Sequence, residues 1–294
     1  MTVAGKVRVA VFRSLGALIE LVPESVSVAA ARRIARSLGI ADARRNLAVN
    51  LAHALDTTNE QDGPLIDRFV DRALASYGQY WAEGAKLPAL SAVTISDRFQ
   101  IAEGRGHLDA AREAGNGVVV ALPHVGSWEW GGAFLAQIGM PMTAVAEALE
   151  PPALFEWFKA KRESIGITIE PLDAHAGTVL LDTLRRGGVV GLLCDRDLVG
   201  NGIPVDFFGE RVTLPAGPAT LALRTGATLV AAACYAGPGR DHHAVVTPPI
   251  AAERLGRLRD DVARVTQSIA NELEGLIRRA PEQWHVLQPR FDPQ

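Results

Sequence analysis

The chain has 294 residues, of which 48% are hydrophobic and 21% are charged, so it is long enough for one large domain or two modest ones. Its formal net charge is only −3, and this balance argues against nucleic acid as a partner. The charge is unevenly distributed, because residues 1–50 contain eight basic side chains and three acidic ones. We therefore expect a globular protein with a basic N-terminal region.

The first part of the chain is predicted to be helical. Helical periodicity covers 5–21, 24–38, 42–55 and 63–86, with breaks at Pro23, Gly39 and Gly63–Pro64. The apolar run 7–22 contains charged residues and is too short to cross a bilayer. Amphipathic helices rich in arginine can lie on an anionic lipid surface. We predict this role for the basic N-terminal helices; the alternative is an ordinary helical subdomain that covers the sheet.

From residue 93 onward, short β-rich runs alternate with helical ones. The predicted strands are 93–102, 117–122, 142–147, 167–171, 188–194, 228–235 and 243–248, and the predicted helices are 106–114, 127–139, 152–165, 176–186, 216–226 and 255–279. This alternation predicts an α/β fold with a mainly parallel central sheet flanked by helices. We expect a single domain over 1–294, with a helical cap (1–88) on an α/β body (89–294). Cys194 and Cys234 fall in predicted buried strands, which favours reduced thiols in a cytosolic protein.

The segment 118–132 is the strongest candidate for a site. A buried strand ends at Pro123, Gly126 and Ser127 form a turn, and a helix follows. His124 therefore lies at the carboxyl edge of the sheet, and Glu129 lies in the first turn of the helix. A histidine oriented by a carboxylate is a general base for a hydroxyl nucleophile, so we predict that Glu129 orients His124. The alternative is a structural histidine.

A second charged group follows strand 188–194, at the same edge of the sheet. Asp195, Arg196 and Asp197 must reach solvent, pair with one another or form a site, because buried charges are costly. One interpretation is that an aspartate orients His124 or the attacking hydroxyl. The others are an internal ion pair with Arg196 and a metal-binding Asp-x-Asp of the kind used by sugar-nucleotide transferases.

Several other residues have two readings each. Phe207 and Phe208 in a glycine- and proline-rich loop either pack on the core or line an apolar channel. Arg162 either binds the phosphates of a nucleotide-like carrier or is merely solvated. His285 is either a satisfied core histidine or part of the site. The sequence lacks the Gly-x-Ser-x-Gly elbow of serine hydrolases and a Walker loop, which removes those chemistries.

Taken in order, these segments resemble a known family. They are His124-x4-Glu129, Val145-Ala146-Glu147, Arg162-Glu163-Ser164, Asp195-Arg196-Asp197, Asp206-Phe207-Phe208-Gly209, Leu214-Pro215-Ala216-Gly217-Pro218-Ala219 and Trp284-His285-x-Leu287-Gln288-Pro289. The combination resembles the bacterial lipid A acyltransferase family, most closely its actinobacterial branch, the phosphatidylinositol mannoside acyltransferases. The resemblance covers residues 5–291. The family commonly has Asp where Glu129 stands and Glu where Asp195 stands.

The resemblance implies an acyl-CoA-dependent O-acyltransferase that is peripheral to the cytoplasmic face of the plasma membrane. It would transfer a long fatty acyl chain, typically palmitoyl, to a mannose hydroxyl of a phosphatidylinositol mannoside. His124 would be the base and Glu129 its partner, with no covalent acyl-enzyme, no metal and no cofactor. The implied substrate-binding residues are Glu147, Arg162, Asp195, Arg196, Phe207, Phe208 and His285. The alternatives are a metal-dependent glycosyltransferase that uses Asp195 and Asp197, and a non-catalytic lipid-binding protein.

Overall fold

The computed structural model describes residues 3–38, 41–57, 62–197 and 199–291. Four helices come first, close to the predicted bounds, and the expected break at Gly39 lies outside the described residues. They are α1 (Val3–Leu21), α2 (Glu24–Leu38), α3 (Ala41–Leu55) and α4 (Gly63–Lys86). Among the described residues, no helix has the length and the apolarity that crossing a membrane requires.

Helix α2 packs closely on α4, and this contact explains a glycine within α4. A Cβ atom on Gly78 would lie 2.4 Å from the Ala31 carbonyl oxygen, so only glycine permits this approach. Helix α1 is far more exposed. Large apolar side chains of α1 and α2 are turned to solvent, namely Val7, Val11, Leu15, Leu18, Leu21, Val26 and Ile34. Exposed apolar side chains grouped on neighbouring helices are typical of an interaction surface.

The rest of the chain alternates strands and helices. The strands are β1 (Phe99–Glu103), β2 (Val118–Leu122), β3 (Met142–Ala146), β4 (Thr168–Pro171), β5 (Val189–Leu193), β6 (Ile203–Phe207), β7 (Glu210–Leu214), β8 (Thr228–Ala236) and β9 (His242–Val246). The helices are α5 (Ala92–Arg98), α6 (Arg105–Ala114), α7 (Trp128–Gln137), α8 (Pro152–Glu163), α9 (Ala176–Arg185), α10 (Gly217–Thr225) and α11 (Leu258–Arg279), with short 3₁₀ turns at Leu87–Ala89 and Pro281–Gln283.

The central sheet has the strand order β1-β9-β8-β2-β5-β3-β4. Neighbouring strands are parallel except for β8 and β9, which are antiparallel. All five residues of β2 are buried, as expected of a parallel strand covered on both faces. The predicted α/β fold with a mainly parallel sheet is confirmed.

Two local predictions were wrong. Residues 93–98 belong to α5, because the Ser91 side chain caps the helix by accepting a hydrogen bond from the Thr94 backbone N–H; the strand starts only at Phe99. The segment that contains Phe207 and Phe208, expected to be a loop, belongs to the antiparallel β6–β7 hairpin, which covers residues 203–214. In its turn, Phe208 has φ 51° and Gly209 has φ 80°, so both residues are in the left-handed region. This conformation is uncommon for phenylalanine, and the sequence pattern therefore did not indicate the turn.

Candidate active site

The pairing of β2 with β5 brings His124 and Asp195 together. Leu122 and Leu193 are partners at the ends of these parallel strands, and each charged residue comes two positions later. Asp195 Oδ1 lies 2.5 Å from His124 Nδ1, and the backbone N–H of His124 donates to Asp195 Oδ2 at 2.9 Å. Their meeting thus follows from strand register alone.

The Asp195 carboxylate has no exposed surface, and its negative charge is held by hydrogen bonds. Trp284 Nε1 donates to Oδ2 at 2.8 Å, in addition to the contacts from His124. Burial by itself would raise the pKa of Asp195, but the His124 charge, the His124 hydrogen bonds and the Trp284 hydrogen bond lower that pKa to about 2. Asp195 is therefore ionised at neutral pH, and it orders the tautomer with the proton on Nδ1, leaving Nε2 as the base.

The prediction that Glu129 orients His124 was wrong. The Oε1 atom of Glu129 accepts hydrogen bonds from the Tyr80 hydroxyl at 2.9 Å and from Arg162 at 3.1 Å. Helix α7 begins at Trp128, so it carries Glu129 toward α4 and α8, whereas Asp195 is already fixed beside the ring by the sheet. The interpretation that an aspartate after β5 orients His124 is the one that the geometry confirms.

Glu129, Tyr80 and Arg162 form a charged cluster of their own. Arg162 also lies over the faces of Trp128 and Phe158, with its guanidinium carbon 5.1 and 5.9 Å from the ring centroids. Burial and the neighbouring Glu129 charge raise the pKa of Tyr80 far above its usual range, so its hydroxyl stays protonated and donates. For Arg162, burial lowers the pKa, but the charges of and hydrogen bonds to Glu129 and Tyr80 together outweigh burial, so the pKa is raised. Within the cluster, Glu129 and Arg162 form a fixed ion pair, and Tyr80 donates a hydrogen bond to Glu129.

The C-terminal segment 283–285 holds the loop after β2 in place. The backbone N–H of His285 donates to the His124 carbonyl at 2.7 Å, and Gly126 N–H donates to the Gln283 carbonyl at 2.9 Å. Gly126 has φ 57°, and a Cβ atom there would lie 2.0 Å from the Cys234 carbonyl oxygen. Only glycine can make this turn, so Gly126 is required for the position of His124.

His285 itself does not reach the cavity beside His124. Its side chain is buried, and its Nε2 atom lies 2.9 Å from the Ser76 hydroxyl. Burial, with a smaller effect of the His124 charge, lowers the pKa of His285 to about 3. The ring is therefore neutral, as the interpretation of His285 as a satisfied core histidine expects; His285 is not among the described residues that line the cavity, and its role in substrate binding stays a prediction.

A cavity of about 690 Å³ opens beside His124. Its wall is mostly apolar, with side chains from β3, β4, β5, α9 and α10 that include Val145, Ile169, Leu180, Leu192 and Leu221. Of the predicted substrate-binding residues, the ones that line it are Glu147, Arg162 and Arg196. Lys159 and Arg224 add further positive charge to this wall.

Of the two interpretations of Phe207 and Phe208, packing on the core is the one observed, and neither is among the described residues that line the cavity beside His124. Both are buried in the core, and their rings pack on Trp284 with centroids 6.3 and 5.7 Å away. The hairpin that carries them lies against α11, where the backbone N–H of Phe208 donates to Glu274. Phe207 and Phe208 therefore contact Trp284, which in turn donates a hydrogen bond to Asp195.

A second cavity, of about 520 Å³, lies between α1, α4 and α8. Its aromatic wall includes Phe12, Tyr77, Tyr80 and Trp157. It shares several wall residues with the first cavity, namely Trp81, Leu149, Phe158 and Arg162. The ion pair of Arg162 with Glu129 thus lies where the two cavities meet.

Both carboxylates of the Asp-x-Asp pair, Asp195 and Asp197, accept hydrogen bonds from groups of the protein. Asp197 accepts hydrogen bonds from the backbone N–H groups of Gly200 and Gly202 and from the Thr213 hydroxyl, each between 2.8 and 2.9 Å. Asp195 is held by His124 and Trp284. In the described part of the chain, no group of three or more metal-binding side chains is close enough together to hold an ion.

Sequence reasoning missed Trp284 and Tyr80 as neighbours of the charged groups. Trp284 occurs in the sequence analysis only within the motif of residues 284–289, and no contact is predicted there for Tyr80. Each contacts its carboxylate across a long sequence separation, 89 residues for Trp284 and Asp195. Periodicity carries no signal of such a contact, although an indole N–H near a buried carboxylate is a natural donor.

Comparison with known proteins gives the family. The family model for bacterial lipid A biosynthesis acyltransferases matches residues 8–292. The chain is 35% identical to a phosphatidylinositol mannoside acyltransferase of Mycolicibacterium smegmatis over 284 residues, which is 95% of this chain and 88% of the relative. It is 37% identical over 265 residues, 89% of this chain and 80% of the relative, to the protein of the same name from Mycobacterium tuberculosis strain H37Rv. The chain therefore belongs to the bacterial lipid A biosynthesis acyltransferase family.

Proposed function

We propose that the protein transfers a long fatty acyl chain from acyl-CoA to a mannose hydroxyl of a phosphatidylinositol mannoside. The names of its relatives support the acceptor. The observation that carries the proposal is the His124–Asp195 pair beside a large, mostly apolar cavity. This arrangement suits an enzyme that deprotonates an alcohol next to a bound hydrocarbon chain.

The reaction follows from the chemistry of the pair. His124 Nε2 takes the proton of the mannose hydroxyl as its oxygen attacks the thioester carbonyl carbon. Asp195, ionised and fixed, stabilises the imidazolium that forms. The new C–O bond replaces the C–S bond, and the proton passes from His124 to the departing thiolate of CoA. No acyl group is attached to the protein, and an activated thioester needs neither a metal nor a cofactor.

The cavity wall supports a site for the donor. Leu180, Leu192 and Leu221 would contact the acyl chain, and burial of each methylene contributes about 0.8 kcal/mol to binding. Arg196 and Arg224 would offer charge to the phosphates of CoA, as arginine fits phosphate oxygens in a bidentate manner. Helix α10 forms part of this wall, in place of Phe207 and Phe208.

The exposed apolar side chains of α1 and α2 support a peripheral membrane location. Arg32, Arg33 and Arg36 on α2 lie in the same helix as the exposed Val26 and Ile34. This mixture favours an anionic lipid surface, and we propose that the enzyme lies on the cytoplasmic face of the plasma membrane. The lipid acceptor is present on that surface.

Product analysis tests the proposed reaction. The purified chain is incubated with palmitoyl-CoA and a phosphatidylinositol mannoside, and mass spectrometry and thiol titration follow the two products. We expect a palmitoylated glycolipid and an equal amount of free CoA, with unchanged rates in EDTA. A rate abolished by EDTA, with transfer from a sugar nucleotide, would instead identify the metal-dependent glycosyltransferase. Ligand binding without turnover would identify a lipid-binding protein.

A further inference from the structure

We propose that Trp284 is a positioning residue for acyl transfer: its indole N–H fixes the plane of the Asp195 carboxylate, so that Oδ1 remains on His124. This inference rests on the proposed function for its kinetic consequence. Trp284 itself contacts Asp195 and lies behind the catalytic pair.

The two oxygens of Asp195 have different partners. Oδ1 lies 2.5 Å from His124 Nδ1, whereas Oδ2 accepts from the His124 backbone at 2.9 Å and from Trp284 Nε1 at 2.8 Å. The terminal torsion of an aspartate is broad, so burial by itself does not fix the carboxylate plane. A donor on each oxygen does fix it. The indole can only donate, so it always presents a proton to Oδ2.

Trp284 can fix the Asp195 carboxylate because packing fixes the position of the Trp284 ring. Its residue is only 1% exposed, and its ring packs on Phe207 and Phe208 of the β6–β7 hairpin. Its backbone forms a bridge with Val125, next to His124 in the chain. The indole is therefore tied to the same loop that carries the base.

Loss of the N–H predicts a specific defect. With Oδ2 held by a single backbone donor, the carboxylate can rotate away from His124 Nδ1, and the tautomer with Nε2 free becomes less favoured. The substrate cavity does not include Trp284 among its described wall residues. We therefore expect kcat to fall while KM stays the same.

Trp130 provides a matched control. It is also a 1% exposed tryptophan, and its ring stacks on His242 with centroids 4.2 Å apart. In the described part of the chain, the Trp130 N–H has no hydrogen-bond partner. The Trp130→Phe and Trp284→Phe variants thus remove the same atoms from buried positions, but only the latter removes a bond to Asp195.

The test measures kcat and KM for Trp284→Phe and Trp130→Phe. Each substitution is made in the wild-type protein and in the Asp195→Asn variant. We expect Trp284→Phe to lower kcat by about tenfold or more, and Trp130→Phe by less than about twofold. In the Asp195→Asn background, Trp284→Phe should have little additional effect, since its target is gone. Equal losses for the two tryptophan variants, or a Trp284 effect that persists in full with Asp195→Asn, would overturn the inference.

A second readout is independent of acyl transfer. Proton NMR of the wild type should show a far-downfield signal from His124 Nδ1–H, unchanged in Trp130→Phe and shifted or broadened in Trp284→Phe. If Trp284→Phe does not fold, the benzothiophene analogue of tryptophan at position 284 replaces the N–H by sulfur in nearly the same shape. An unshifted His124 signal in Trp284→Phe, or in the protein with the benzothiophene analogue at position 284, contradicts the inference. A shifted signal in a protein without acyl transfer activity would leave the inference standing and refute the proposed function.

Discussion

Asp195 Oδ1 and His124 Nδ1 lie 2.5 Å apart because β2 and β5 end in register. Each residue follows its strand by two positions, so the backbone of a parallel sheet sets the distance between base and carboxylate. This explains why a rigid, partly buried pair is formed by residues 71 positions apart. It also identifies Asp195, rather than Glu129, as the carboxylate that contacts His124, and we propose that its charge supports acyl transfer.

The first prediction separates the two carboxylates. Asp195→Asn keeps the shape but removes the charge that stabilises the imidazolium, so we expect kcat to fall by about 10³-fold. Glu129→Gln keeps an acceptor for Tyr80 and Arg162, and its kcat should change by less than about tenfold. Steady-state kinetics with palmitoyl-CoA measure both. A larger loss for Glu129→Gln than for Asp195→Asn would restore Glu129 as the partner of His124.

The core of the fold could be predicted from the sequence because its signals are local. Apolar runs such as 118–122 and 189–193 predict buried strands, and the helices between them follow from periodicity. The edge of the sheet that carries His124 and Asp195 was predicted for the same reason. One of the two exceptions, at 93–98, arises where a side-chain cap by Ser91 determines the structure.

The contacts of the site could be predicted only in part. The choice between Glu129 and Asp195 depends on which way α7 leaves the turn at Gly126, and this is set by contacts with Cys234 and Gln283 far along the chain. The burial of Phe207 and Phe208 likewise depends on packing against Trp284. Such long-range contacts leave no periodic signature in the sequence.

The second prediction concerns pH and His285. Its folded-state pKa of about 3 is below the usual value of 6.5, so the unfolded chain binds a proton that the folded chain does not as pH falls. Stability from the neutral ring is fully present above pH 6.5 and is lost as the pH falls toward 3. Between pH 7.5 and 5 this loss is about 2 kcal/mol.

Urea denaturation at both pH values measures it. His285→Gln cannot titrate, so its free energy of unfolding should fall by about 2 kcal/mol less than that of the wild type over the same range. If the two proteins show the same pH dependence, His285 is not buried in the neutral form.

The third prediction tests the Arg162–Glu129 ion pair. Arg162→Leu leaves a 9% exposed carboxylate without its cation, and we expect a loss of about 3 kcal/mol in unfolding free energy. Lys159→Leu on the same helix breaks only the half-exposed pair with Glu163 at 3.7 Å and should cost under about 1 kcal/mol. Chemical denaturation compares the two. Similar losses would mean that the Arg162 pair is no more important than a surface pair.

The fourth prediction tests the membrane surface of α1 and α2. Leu18→Asp places a charge among exposed apolar side chains, and co-sedimentation with anionic liposomes should fall by about tenfold or more. Leu255→Asp is the matched control, since Leu255 is equally apolar, also exposed and outside these helices. Binding by the wild type should also weaken with added salt. Equal effects of the two substitutions would remove α1 from the membrane contact.

The most direct test of the central claim is the rate of acyl transfer by His124→Ala. Release of CoA from palmitoyl-CoA in the presence of a phosphatidylinositol mannoside is compared with that of the wild type, and circular dichroism verifies that the variant is folded. We expect a rate lower by about 10³-fold or more, because His124 is the only histidine among the described residues that line the cavity. A folded variant that retains most of the wild-type rate would contradict it.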